Sequence, residues 1–197
     1  KPLSELCFNK SQNGYAISKD DFGEGIPIVC MPDMFRNTIL DVDKLNQVNM
    51  DESTVKKYYL KKHDLLFARR SLSVEGSGKC VLVPEITDNI IFESSCIRTT
   101  IDKNQILPFF VFYFLNSQFG KRLISRITNV SAVAGVTSSD IKKLKIPVPK
   151  KIKEQEKIIS ILNDDHEFIS KQQLYLSSLY QLRQSFINSL FSQDYFR

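Results

Sequence analysis

Between residues 153 and 192 the chain has neither proline nor glycine, and its apolar residues return at seven-residue spacing. Leu162, Ile169, Leu176 and Leu190 form one column, Ile158, Leu179 and Phe186 a second, and Ile161, Phe168, Tyr175 and Leu182 a third. With nothing to break it and apolar side chains repeating along one side, this stretch predicts a single α-helix. At ~1.5 Å per residue the helix is about 60 Å long, more than a domain of ordinary size can cover. Its stripe therefore calls for a partner helix, as in a coiled coil. The competing arrangement is a helix folded back on its own domain. Ile158, Leu162, Ile169, Leu176, Leu179, Phe186 and Leu190 are the candidate dimerisation contacts. Asp165 and Gln172 fall in the second column, where polar residues lower stability and can set register. A partly exposed seam accounts for them equally well.

The sequence ahead of this helix reads differently. Runs rich in β-branched and aromatic residues, bounded by turn formers, predict strands over 26–31, 65–69, 79–84 and 90–101. After Pro108, the residues Phe110, Phe114, Leu115 and Leu123 recur at helical spacing. They predict one helix over 109–127 that caps the sheet, with proline near its start. Ser138, Ser139 and Asp140 offer an N-cap for a short helical turn. Ile146-Pro147-Val148-Pro149 is extended, because a residue before proline avoids the α region, and is expected as a closing strand. The expected fold class is α+β: a mainly β domain with packed helices over residues 1–150, then one long C-terminal coiled-coil helix over 151–197.

The 42% apolar content suits a folded core. Cys7, Cys30, Cys80 and Cys96 lie far apart, without a C-x-x-C pair or neighbouring histidines. That argues for buried free thiols in a reducing compartment and against a zinc site or a disulfide framework. No stretch approaches the ~18 apolar residues of a membrane span, and the first residues lack a signal-peptide run. A cytoplasmic protein without membrane contact is expected. Residue 1 is Lys and not Met, which is compatible with a piece of a longer protein. The net charge of +5 is uneven: residues 121–157 carry ten Lys or Arg against Asp140, Glu154 and Glu156, or +7, leaving −2 for the remainder. A basic segment in a near-neutral chain is the footprint of a phosphate-binding face, since Lys and Arg displace counterions condensed on DNA. A solvated lysine-rich surface is the plainer reading.

Catalytic signatures fail on inspection. Gly76-Ser77-Gly78-Lys79 looks like the end of a phosphate-cradling P-loop, but Ser73 stands where the first glycine belongs and Cys80 where a magnesium-binding Ser or Thr belongs. There is no Asn-Pro-Pro-aromatic methyltransferase motif and no H-E-x-x-H metal site. Asp20, Asp21, Asp41 and Asp43 have no partners at metal-site spacing, and His63 and His166 are isolated in sequence. No cofactor and no metal are expected.

Four segments resemble, in order, the specificity subunits of type I restriction-modification enzymes and the related recognition subunits of some type II systems. Gly25-Ile26-Pro27 with Met31-Pro32-Asp33-Met34 is similar to that family's opening strand and loop. Asp64-Leu65-Leu66-Phe67-Ala68-Arg69-Arg70 with Gly78-Lys79 resembles its hairpin, except that His63 stands where the family has glycine. Pro108-Phe109-Phe110-Val111-Phe112-Tyr113-Phe114-Leu115-Asn116-Ser117 resembles its helix. Leu144-Lys145-Ile146-Pro147-Val148-Pro149 followed by Glu154-Gln155-Glu156-Lys157-Ile158 and Leu162 resembles the junction between recognition domain and conserved helix. Full subunits have two recognition domains and two helices. This chain has one of each, so it reads as a half subunit or half of a longer chain.

The resemblance implies a non-catalytic subunit whose recognition domain reads one half of a split site on double-stranded DNA, with helices setting the separation between halves. The implied partners are a DNA methyltransferase (modification) subunit, a restriction and translocating subunit reached through it, and a second copy or second half through the helix. Arg69 and Arg70 end an apolar strand before the flexible stretch 71–78, where guanidinium groups can enter a groove; arginine is the commonest bidentate reader of guanine and also binds phosphate. Ser71 and Ser73 in that stretch, Asn129 in the polar loop 129–137, and Lys79, Lys121, Arg122, Arg126, Lys142, Lys143 and Lys145 complete the candidate DNA contacts. Two rival readings stay open: an interaction or decoy module that docks through its helix without binding DNA, and the recognition fragment of a larger fused restriction-methyltransferase.

Overall fold

A computed structural model of the chain describes residues 1–8, 11–130 and 133–192. The fold is α+β with a long C-terminal helix, and it divides into one unit spanning Lys1–Glu156 and a second that begins at Lys157.

The first unit is organised around β4 (Leu65–Ala68), which pairs antiparallel with β6 (Cys80–Leu82) on one edge and β8 (Cys96–Thr99) on the other. Beyond β8 lies β1 (Gln12–Asn13). Four successive apolar residues form a strand only where both faces are covered, and all four residues of β4 are buried. Leu66 and Ala68 join Val81, Val83, Phe92 and Cys96 in one cluster. Leu65 and Phe67 alternate to the opposite face. Helix α3 (Pro108–Asn116) packs on β6, and the Asn116 amide donates to the Cys80 carbonyl at 3.1 Å.

The strand starts from an anchor. Asp64 is fully buried; its carboxylate accepts the Lys61 N–H at 2.8 Å and the Thr100 hydroxyl at 2.5 Å, and lies 4.0 Å from the Arg98 guanidinium. Burial pushes its pKa up, against the pull of those bonds. Just before it, His63 has φ 65°, in the left-handed region that favours glycine. This is the geometry of the turn where the sequence departs from the family it resembles. The imidazole gains what a glycine could not: an edge-on contact with Phe109 at 5.1 Å and a position 3.5 Å from Glu85.

A second sheet runs in the order β3 (Asn46–Val48), β2 (Phe22–Val29), β7 (Ile91–Phe92), with β2 antiparallel to β3 and parallel to β7. Short helices α1 (Met31–Arg36) and α2 (Glu52–Val55) connect the strands. Several elements differ from the sequence expectation. The strand expected over 26–31 begins at Phe22 and gives way to α1, because the Asp33 carboxylate accepts the Cys30 N–H at 2.8 Å and closes a helix cap there. The strand expected over 90–101 is two: a turn closed by Cys96 N–H on the Glu93 carbonyl sends β7 to one sheet and β8 to the other. The helix expected over 109–127 breaks at Ser117 into α3 and α4 (Gln118–Ile127). Ser117 is extended and its hydroxyl accepts the Gly120 N–H at 3.2 Å, a cap that competes with helix continuation. The short helix α5 (Ser138–Lys142) is capped by Thr137 and not from Ser138. Finally, 146–149 is extended but joins no sheet. Instead, Lys1 and Ile146 exchange backbone hydrogen bonds at 2.8 Å, beside a bridge from Pro2 to Lys145.

The four cysteines are free. Cys30, Cys80 and Cys96 are buried, whereas Cys7 is only half-buried and donates to the Leu3 carbonyl. Burial pushes Cys7 and Cys30 up to about 12 and raises Cys80 and Cys96 as well, so all four remain thiols at neutral pH.

Helix α6 (Ile152–Ser192) runs unbroken. Of its heptad columns, Ile161, Phe168, Ile169, Tyr175, Leu176, Leu179, Leu182, Phe186 and Leu190 are exposed, and Ile158 and Leu162 are half-buried. Gln172 is exposed, while the side chains of Asp165 and His166 lie outside the described residues.

The first turn of α6 belongs to the first unit, and Gln155 shows why. It is fully buried, its Oε1 accepts the Leu107 N–H at 2.8 Å at the start of α3, and its amide donates to the Pro149 carbonyl at 3.4 Å. Removing it orphans a buried backbone donor. Gln155→Ala is therefore expected to cost about 1–3 kcal/mol in urea unfolding, whereas Glu154→Ala and Glu156→Ala, at exposed neighbours, should stay within about 0.5 kcal/mol.

Candidate nucleic-acid interface

The chain leaves β4 at Ala68 and enters a second, very short pairing. Arg69 donates its N–H to the Ser95 carbonyl at 2.8 Å and accepts the Val136 N–H at 3.0 Å. Strand β5 (Arg70–Ser71) then pairs antiparallel with β9 (Ala134–Gly135), Arg70 opposite Gly135 and Ser71 opposite Ala134. Asn129 and Gly135 exchange backbone bonds at 2.9 and 3.0 Å. Two candidates far apart in sequence, the arginine pair and the polar loop after α4, thus meet around one concavity lined by Arg69, Arg70, Asn129, Gly135 and Thr137. A Cβ on Gly135 would stand 3.2 Å from the Arg69 carbonyl, so the close pairing uses the small residue.

The two arginines are held differently. Arg69 is half-buried and its guanidinium donates to the Ser94 carbonyl at 3.4 Å; Arg70 is exposed. The loop between β5 and β6 is stiffened from within: the Ser71 hydroxyl accepts the Ser73 N–H at 3.2 Å, and the Ser73 hydroxyl accepts the Gly76 N–H at 3.1 Å. Both serines therefore shape the loop. At its end Gly78 takes φ 72° and donates to the Ala68 carbonyl at 2.8 Å, while the Lys79 carbonyl accepts the Ala68 N–H. Lys79 leads into strand β6 and not into a helix, so the Gly-Ser-Gly-Lys segment lacks the helix N-terminus on which a P-loop depends.

The remaining basic candidates fall into separate groups. Lys79 and Lys121 share a cavity of about 150 Å³ with Ser77, whose hydroxyl is buried without a hydrogen-bond partner among the described residues. The Lys79 ammonium sits 5.3 Å from the Phe35 ring, and its pKa is lowered by burial and by the neighbouring Lys121. Arg122 and Arg126, one helical turn apart on α4, line a shallow groove with Lys145, Phe119 and Pro147. On α5, Lys142 is half-buried, and Lys143 pairs with Asp140 at 3.4 Å. Hydrogen bonding from Thr137 holds the Asp140 carboxyl below the usual carboxylate range. Sequence reasoning missed the buried Ser77 and the exposed Leu72, Val130 and Val133; neither short apolar residues in a loop nor a lone serine carries a periodic signal.

Among the described residues, no His, Cys, Asp or Glu cluster could hold a metal ion, and no helix is long and apolar enough to cross a membrane.

The chain thus carries a β-rich domain with an arginine-bearing ribbon and one long helix with an exposed apolar stripe. Residues 1–175 match the family of the type I restriction modification DNA specificity domain, and the chain belongs to that family. Specificity subunits of type I restriction-modification systems are non-catalytic. The type I restriction enzyme EcoKI specificity subunit of Escherichia coli (strain K12) is 24% identical over 156 residues, 79% of this chain and 33% of its own length. Among solved structures, the type I restriction-modification S subunit from M. genitalium is similar with a TM-score of 0.65 and 18% identity, over 99% of this chain and 46% of that one. The HsdS subunit from Thermoanaerobacter tengcongensis gives 0.60 and 15%, over 98% and 44%. The chain thus spans about a third of the curated relative's length and less than half of these structures.

Because a Cβ on Gly78 would meet the Ile124 methyl at 2.4 Å at a positive φ, Gly78→Ala combines backbone strain with overpacking. A loss of about 2–4 kcal/mol is expected in denaturant unfolding.

Proposed function

We propose that this chain is one half of a specificity subunit, a recognition domain over residues 1–150 and a spacing helix over 151–197, that directs methyltransferase and restriction subunits to a split target on double-stranded DNA in the cytoplasm. The observation that carries this reading is the β5–β9 pairing, which brings Arg69, Arg70 and Asn129 around one concavity. A two-stranded ribbon is narrow enough for the major groove, where arginine addresses guanine O6 and N7 as a pair of acceptors. Arg69, tethered to Ser94, is the more restrained of the two; Arg70 is the more exposed. The cations of α4 and α5, with Lys79 and Lys145, act on phosphates, giving sequence-independent affinity that falls with salt.

The helix supplies the second half of the reading. Its exposed columns bind a second copy or a second recognition half, and an antiparallel pair puts two recognition domains at opposite ends. The separation of the two half-sites then follows from helix length. The same helix bundle is the docking surface for the methyltransferase subunit, and the restriction and translocating subunit joins through that subunit.

Two experiments test this. Binding should be measured at several salt concentrations on a duplex that the chain selects from a random pool and on a scrambled duplex. Arg69→Ala or Arg70→Ala should cost ~1–3 kcal/mol on the selected duplex alone, whereas Lys142→Ala or Lys143→Ala should weaken both and lower the salt slope by about one unit. Equal losses on the two duplexes from both arginine variants would make the arginines phosphate contacts. In sedimentation at tens of micromolar the chain should run as a dimer, and Leu176→Lys with Leu179→Lys should return it to a monomer. A monomeric wild-type chain would refute the helix pairing.

A further inference from the structure

Leu72, the first residue after β5, is 97% exposed. One exposed leucine needs no explanation. Here, however, Val130 is 73% and Val133 42% exposed shortly before β9, the strand that pairs with β5, so aliphatic surface lies on both sides of this pairing. The loop is also shaped to present Leu72. The Ser71 side chain turns inward, where its hydroxyl accepts the Ser73 N–H and lies so close to Gly76 that a Cβ there would be 2.2 Å away. The residues on either side of Ser71, Arg70 at the start of β5 and Leu72 just past its end, are both exposed. An arginine and a leucine therefore stand in solvent on either side of an anchoring serine.

We propose that Leu72 is a base-reading residue: with the β5–β9 ribbon in the major groove of duplex DNA, its side chain packs on the C5-methyl group of a thymine adjoining the base pair contacted by Arg70. This rests on the DNA-recognition reading above and adds to it a determinant that charge cannot supply. In the major groove thymine alone among the four bases presents a methyl group, and an aliphatic side chain tells it from cytosine, whose edge offers an amino donor there. A protein partner fits the same surface less well. Arg69 and Arg70 lie three and two residues before the leucine and, among the described residues, form no ion pair with a carboxylate, so the rim presents positive charge suited to phosphate and guanine acceptors. The contact needs no rearrangement of the core, since Leu72 buries nothing in the free chain.

The test uses the whole chain. Wild type and Leu72→Ala each select duplexes from a random pool, and the wild-type sequence is then remade with uracil for thymine at one position at a time. Wild type should demand thymine at one position beside a guanine, and uracil there, which deletes only the methyl group, should weaken binding about fourfold. Leu72→Ala should bind the thymine and uracil duplexes equally, while its thermal unfolding stays at the wild-type value. A wild-type chain indifferent to uracil at every position, or a Leu72→Ala chain that keeps the thymine preference, overturns the proposal while leaving DNA recognition intact. A wild-type chain that selects no sequence overturns both.

Discussion

The burial of β4 on both faces is the constraint on which the recognition domain turns. Leu65–Ala68 is hydrogen-bonded along both edges and covered above and below, so its position is among the least adjustable in the fold. Its start is anchored by Asp64, a buried carboxylate that keeps its place by accepting from Lys61 and Thr100 and by lying near Arg98. An unpaired charge at that depth would be costly. The exposed ribbon hangs from the other end. Arg69 leaves β4 with both backbone groups bonded, and β5 follows directly. A base-reading side chain must be held within a fraction of an ångström of its target geometry. The shortest route to that rigidity is to place it one or two residues beyond a buried central strand.

The two units meet opposite physical demands. The first is largely closed on itself: three of its cysteines are buried, α4 and α5 are capped by Ser117 and Thr137, and the first turn of α6 is tied in by Gln155. The second leaves its columns of aliphatic and aromatic side chains in water. Each large apolar side chain buried gains roughly 1.5–3 kcal/mol, so a helix with this many uncovered ones has a strong drive to acquire a partner. Gln172 is a polar residue within that stripe and is exposed.

Charge is arranged with similar economy. The basic candidates do not form one patch but separate groups on α4, on α5 and at Lys79 before β6. Arg122 and Arg126 project from a different side of α4 than Lys121, as a step of about 100° per residue requires. Under the proposed function, such spreading suits a phosphate backbone that curves around a protein better than a single concentrated site does.

What could be read directly from the chain was whatever depends on neighbours in sequence. The absence of proline and glycine with a heptad repeat determined α6, the apolar run 65–68 determined a buried strand, and the resemblance carried by Asp64–Arg70 and by the Pro147–Gln155 junction pointed to DNA recognition. Local competition already blurred the reading: at Ser117 a side-chain cap overrode a helical pattern that continues through it, and at Glu93–Ser95 one hydrophobic run was shared between two sheets. Only the tertiary structure decided that Arg70 pairs with Gly135, that Gln155 is an interior residue, and that Leu72 stands uncovered beside an arginine. These are long-range facts. A periodic pattern records which face of an element is buried, but the choice of partner rests on closing a loop of more than sixty residues, and no local sequence signal encodes that closure.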